Sequence, residues 1–82
     1  MTTRVELNPD TWTEISSAAA GYMDNEGQSI VKYRVEDAPP SDAETWGHKL
    51  DLEKGIGWSR AVAKPIFGRT VTQKGFVIVT EG

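Results

Sequence analysis

Cysteine is absent from this sequence of 82 residues, which excludes disulfides and thiolate metal sites. Histidine occurs once, as His48, and one imidazole cannot build a multi-histidine zinc site within a single chain. No long apolar run is present. The first residues, Met1-Thr2-Thr3-Arg4-Val5-Glu6, are short and polar, so neither a secretory signal nor a membrane span is expected. A basic stripe is missing too. The nine bases stand singly or in pairs among twelve acids, for a net charge of −3. Nucleic acid is therefore not an expected partner. Repeats, low-complexity stretches and linkers are also lacking. The expected setting is the cytoplasm or a particle assembled there.

What remains is one small domain. A chain of this length buries only roughly 60–65% of the surface its unfolded form exposes. Its core supplies a few kcal/mol of net stability at most. Small domains commonly add disulfides, a metal or a partner chain. With thiols gone, a partner chain is the remaining common source. This motivates the expectation of a homo-oligomer, a trimer being one option, or of a chain bound into a lattice.

Short alternating runs separated by turn residues are the signature of strands. Val5 and Leu7 share one face of Arg4–Asn8, and Pro9-Asp10 reads as a turn. Trp12 to Ser16 is a second run. Ala18 to Met23 reads as a third strand or one helical turn, since alanines favour helix but Gly21 interrupts. Asn25-Glu26-Gly27 is a turn signal, and a hairpin there would pair Ala20–Met23 with the next run. That run, Ser29 to Glu36, is the clearest strand: Val31, Tyr33 and Val35 oppose Lys32, Arg34 and Glu36.

Ala38 to Gly47 holds Pro39-Pro40, which lack N–H donors, and reads as an exposed loop ending near Trp46. Alternation resumes at His48–Glu53, placing Leu50 and Leu52 inward. In Ile56–Ala63, Trp58 and Val62 are the expected anchors. Pro65 signals an edge strand or a bend before Ile66-Phe67. Gly75–Thr80 is apolar on both faces and reads as a central strand. The expected fold is all-β: a small antiparallel sandwich or barrel of about 6–8 short strands. Residues 1–8 form an extended arm or first strand, and 9–82 a single β domain.

Chemistry finds little to work with. His48, Ser59 and Asp51 include the residue types of a triad, but no nucleophile elbow or oxyanion loop accompanies them. A solvated imidazole at a strand start is the better account, and no catalytic residue is assigned. Asp24 with Glu26, and Asp42 with Glu44, are carboxylate pairs that turn chemistry explains. Asp24-Asn25-Glu26-Gly27 lacks the twelve-residue calcium-loop pattern, and calcium binding is the minority reading of these pairs. Gly55-Ile56-Gly57 is followed by Arg60 where a nucleotide fingerprint needs a third glycine. No enzyme activity, cofactor or metal is expected.

Aromatics carry more. Trp12, Trp46 and Trp58 are many for so short a chain. Each buries a large apolar area in a core, and tryptophan also anchors interfaces. Core is the expectation for Trp12 and Trp58. Core and interface stand level for Trp46, on its polar loop. Exposed tryptophans in a row would also stack on sugar rings, which keeps a carbohydrate- or surface-binding module as an alternative. The first residues, with Arg4 and Val5, are either a frayed end or an arm that adds a strand to a neighbour.

The order of these features resembles small structural proteins of tailed-phage particles. The elements are Leu7, then Trp12-Thr13; Ile30 to Val35 leading into Ala38-Pro39-Pro40; Gly47-His48-Lys49-Leu50; Gly55 to Trp58; and a closing Val77 to Glu81. Each motif is short, but together they cover most of the chain. The resemblance implies a β module and a virion location. It also implies a role as a capsid decoration (cement) protein, or as a head-tail joining or tail accessory protein. The implied partners are the major capsid protein or other virion proteins, with no membrane. Trp46, Pro39, Pro40, Arg4 and Val5 are the candidate contact residues.

Overall fold

Alternation becomes eight strands in the computed structural model, which describes all residues from Met1 to Gly82. They are β1 (Thr2–Leu7), β2 (Thr13–Ser16), β3 (Ala20–Asn25), β4 (Val31–Val35), β5 (His48–Leu50), β6 (Gly55–Ser59), β7 (Ile66–Thr70) and β8 (Gly75–Glu81). One sheet has the order β1-β8-β3-β6 and the other β2-β7-β4-β5. Every pairing is antiparallel. The architecture is a small β-sandwich. No helix is long and apolar enough to cross a membrane.

The inward positions of both sheets meet in one cluster. Leu7, Met23, Val77 and Val79 come from the first sheet; Ile15, Val31, Leu50 and Ile66 come from the second. Each such side chain contributes roughly 1.5–3 kcal/mol on full burial. β8 is central, as its two-faced apolar pattern implies: Val77 and Val79 are buried, while Phe76 and Ile78 are half-exposed on the outer face. β1 pairs with β8 along its whole length, and Leu7 is fully buried. Residues 2–7 are thus the sandwich's first strand rather than a free arm.

Several expectations need correction. The segment at Asn25 is not a hairpin between β3 and β4, because β3 pairs with β6 and β8 while β4 lies in the opposite sheet. The Asn25 side chain holds this crossing. Its amide donates to the carbonyls of Ser29 (2.9 Å) and Leu50 (3.1 Å), and its oxygen accepts from Gly27 N–H (3.0 Å). Leu52 and Val62 are exposed, not inward, because β5 ends at Leu50 and β6 at Ser59. β7 is central in its sheet, so Pro65 marks a bend ahead of the strand and not an edge. The Pro65 carbonyl accepts from Glu36 N–H (3.2 Å).

Candidate functional site

The loop joining β4 and β5, residues 36–47, does not hang free. It folds back over the outer face of the second sheet. The outward residues there are Lys32 and Arg34 on β4, and Phe67 and Arg69 on β7, with Arg34 opposite Phe67 and Lys32 opposite Arg69. Phe67, Arg34 and Arg69 are nevertheless buried. Trp12, from the β1–β2 connection, lies in the same layer at 7% exposure and stands apart from the main core cluster. A second, smaller core therefore sits outside the sandwich.

Hydrogen bonds tie the loop down. Trp12 Nε1–H donates to the Glu44 carbonyl (2.8 Å). Arg69 donates to the carbonyls of Asp42 (3.0 Å), Glu44 (3.3 Å) and Pro9. Thr11 Oγ1–H donates to Asp42 (2.9 Å). These bonds satisfy loop carbonyls that would otherwise be shielded from water without a donor. Gly47 closes the loop onto β4. A Cβ there would stand 2.9 Å from the Tyr33 carbonyl oxygen, too close for any other residue without movement.

Trp46 is the exposed product of this arrangement. Its ring lies 3.7 Å from the Arg34 guanidinium carbon, yet 62% of the residue is exposed. Trp12 lies 5.7 Å from the same guanidinium, and Arg69 lies 5.3 Å from Trp12. Rings and cations thus alternate in the order Trp46, Arg34, Trp12, Arg69. Arg34 is fixed from its edge as well. Its Nε and Nη2 donate to Glu36 (3.0 and 2.8 Å), and its Nη1 donates to Glu44 (2.9 Å). Burial works against the charge. The hydrogen bonds to Glu44 and Glu36, with their negative charges, outweigh it and raise the Arg34 pKa above the ordinary arginine value.

The result is an indole face held on a planar, doubly paired cation. Beside it Arg34, Val35, Glu36, Trp46, Gly47 and His48 line a shallow recess of about 280 Å³. Such a feature presents an apolar surface with polar neighbours to solvent. Glu36 and Glu44 are occupied by Arg34, and Glu26 by Arg4 (3.2 Å). No three acidic or imidazole side chains converge as metal ligands would.

Tyr33 lies behind this corner, its ring 5.2 Å from that of His48. Burial raises its pKa above 10.0. The folded value exceeds the unfolded one, so the stability linked to the neutral phenol is complete below the unfolded pKa. It is lost as pH rises through the folded pKa. Melting temperature is expected to fall between about pH 8 and about pH 11 less steeply in Tyr33→Phe than in the unmodified protein. Parallel declines would remove Tyr33 from the alkaline transition.

The candidate contact residues fall on different surfaces. Trp46, Pro39 and Pro40 share the loop over the second sheet. Arg4 lies on the outer face of the first sheet, its guanidinium 3.8 Å from the Phe76 ring centroid. Val5 points inward and packs against the core. Trp12 and Trp58 are buried and half-buried, so no exposed row of tryptophans forms. Sequence reasoning missed Arg34, Arg69 and Glu44 as the scaffold of Trp46. The signal available was two arginines on outward strand positions, each two residues from another outward residue, Lys32 beside Arg34 and Phe67 beside Arg69. Comparison with protein-family models, with curated proteins and with solved structures found no match.

Proposed function

We propose that this chain is a structural protein of a tailed-phage particle, and among such roles a capsid decoration protein that binds across neighbouring shell subunits. The observation that supports the reading best is Trp46, which is exposed and already immobilised on Arg34. A side chain fixed before docking loses little conformational freedom when a partner covers it. Buried tryptophans at an interface centre carry a large share of binding energy. A compact sandwich suits a clamp, since area buried across two subunits must be exposed again before the shell opens. The order of motifs along the chain, which resembles such proteins, supplies the virion setting.

Quantitative mass spectrometry of purified particles tests the proposal. Copies on the scale of the major capsid protein are the expected result. A few copies per particle would shift the role to head-tail joining or the tail, and absence would overturn the virion reading. In the same preparation, Trp46→Ala should lower occupancy roughly tenfold or more while costing the free domain about 1 kcal/mol or less. Full occupancy together with a lowered melting temperature would make Trp46 a folding residue only.

A further inference from the structure

β1 and β6 flank the first sheet, and β2 and β5 the second. Exposed edges invite pairing with other chains, and proteins block them with charge, proline, bulges or shortness. Three edges here are blocked. β1 carries Arg4 and Glu6. β2 has four residues and a register break between Glu14 and Ser16. β5 has three residues, His48 and Lys49 among them. β6 differs. Its sequence, Gly55-Ile56-Gly57-Trp58-Ser59, holds no charge and no proline, and its register with β3 is unbroken.

The direction of its hydrogen bonds is fixed by its ends. Asn25 N–H donates to the Lys54 carbonyl (2.9 Å), and Arg60 N–H to the Ala19 carbonyl (2.8 Å). Even-numbered residues therefore bond to β3, and alternation turns the backbone groups of Gly55, Gly57 and Ser59 outward. Two of these have no side chain and the third has a small one. The even-numbered side chains point inward. Ile56 and Trp58, with Met23, Tyr33, Val35 and Ile66, line a largely apolar groove of about 260 Å³ between the sheets. Arg60 stands at this groove. Its Nη1 is buried without a hydrogen-bond partner, and its guanidinium joins none of the ion pairs. A buried, unsatisfied donor on a charged group calls for an acceptor.

We propose that β6 receives a strand from a partner protein: an extended segment with apolar side chains at alternate positions and a carboxylate that reaches Arg60. Its backbone pairs with Gly55, Gly57 and Ser59. Its apolar side chains enter the groove beside Ile56 and Trp58, and its acid supplies the acceptor that Arg60 lacks. A second copy fits less well. Two β6 strands overlapping fully about Gly57 would set Lys54 opposite Arg60, a like-charge pair. The groove adjoins the Trp46 recess, with Val35 and His48 lining both, but the β6 edge belongs to the other sheet and the proposal stands whether or not the virion reading holds.

The test uses a synthetic peptide, acetyl-Glu-Thr-Val-Thr-Val-Thr-amide, which in antiparallel pairing sets its glutamate opposite Arg60 and its valines opposite Trp58 and Ile56, titrated into the full chain. Amide exchange followed by NMR is the readout. New protection at the Gly55, Gly57 and Ser59 amides is expected. Arg60→Met, or glutamine in place of the peptide's glutamate, should weaken binding roughly tenfold. Gly57→Pro deletes an outward N–H at a tolerated edge position and should abolish binding. Gly57→Ala should leave it unchanged, because the added Cβ stands 3.5 Å from its nearest neighbour, Gly21 O. A peptide N-methylated at the amides facing β6 tests the same point without altering the protein, and should not bind. No protection at millimolar peptide, protection centred elsewhere, or equal binding of the N-methylated peptide would overturn the proposal. Concentration-dependent protection of the same amides without peptide would overturn it in favour of a second copy.

Discussion

Replacing Trp12 with alanine is expected to destabilise the domain by about 3–5 kcal/mol. Trp12 is 7% exposed and fills the space between the β4–β5 loop and the second sheet. Its removal opens a cavity between Arg34 and Arg69 and takes a donor from the Glu44 carbonyl. A domain of this size holds roughly 0.05–0.15 kcal/mol per residue, or about 4–12 kcal/mol in all, so the loss is a quarter of the total or more. Urea unfolding measures it. Amide exchange at Glu44, whose N–H donates to the Ser41 carbonyl (3.0 Å), should rise ahead of exchange in β7 and β8. A loss below about 1 kcal/mol would mean that Arg69, Arg34 and Thr11 hold the loop without the indole.

Asn25→Leu is the second large effect. The residue is 2% exposed, and leucine keeps its branched shape but is larger, so the change removes polarity and also overpacks the site. Three backbone groups then lose partners: the carbonyls of Ser29 and Leu50 and the N–H of Gly27. Each buried group left unsatisfied costs about 1–3 kcal/mol. The expected total is about 3 kcal/mol or more, with the unfolding slope unchanged. Asn25→Asp should also destabilise, because a carboxylate cannot donate to either carbonyl. Retention of stability within about 0.5 kcal/mol in Asn25→Leu would show that water replaces the amide.

Strand identity was legible in the sequence because a half-buried strand writes its burial at every second residue. Val31, Tyr33 and Val35 face inward as their spacing predicts, and Gly75–Thr80 is central because both of its faces are apolar. Partner choice was not legible. Alternation is the same whichever strand lies alongside, so the turn at Asn25–Gly27 looks like a hairpin. Yet Asn25 turns its side chain inward and sends the chain to the other sheet. Arg34 and Arg69 show a related gap. Their outward positions are plain from alternation, but a loop above them buries both, and the contact of Trp12 with Glu44 is non-local. Leu52 and Val62 mislead for the opposite reason: their apolar character is real, but the strands beside them end before reaching them.

The order of the first sheet also governs when it can form. Its central strand, β8, is the last in the chain, and it lies between β1, the first, and β3. During synthesis β1 has no neighbour in its sheet until every other strand has been made. The second sheet has all its members by Thr70. Closing the longest loop in the chain is then the step that seals the core, and such late, non-local closure is characteristic of slow-folding sandwiches. Until β8 docks, Leu7 and Met23 lack their central partners Val77 and Val79, so the nascent chain presents its most apolar surface to the cell before it has the strand that covers it.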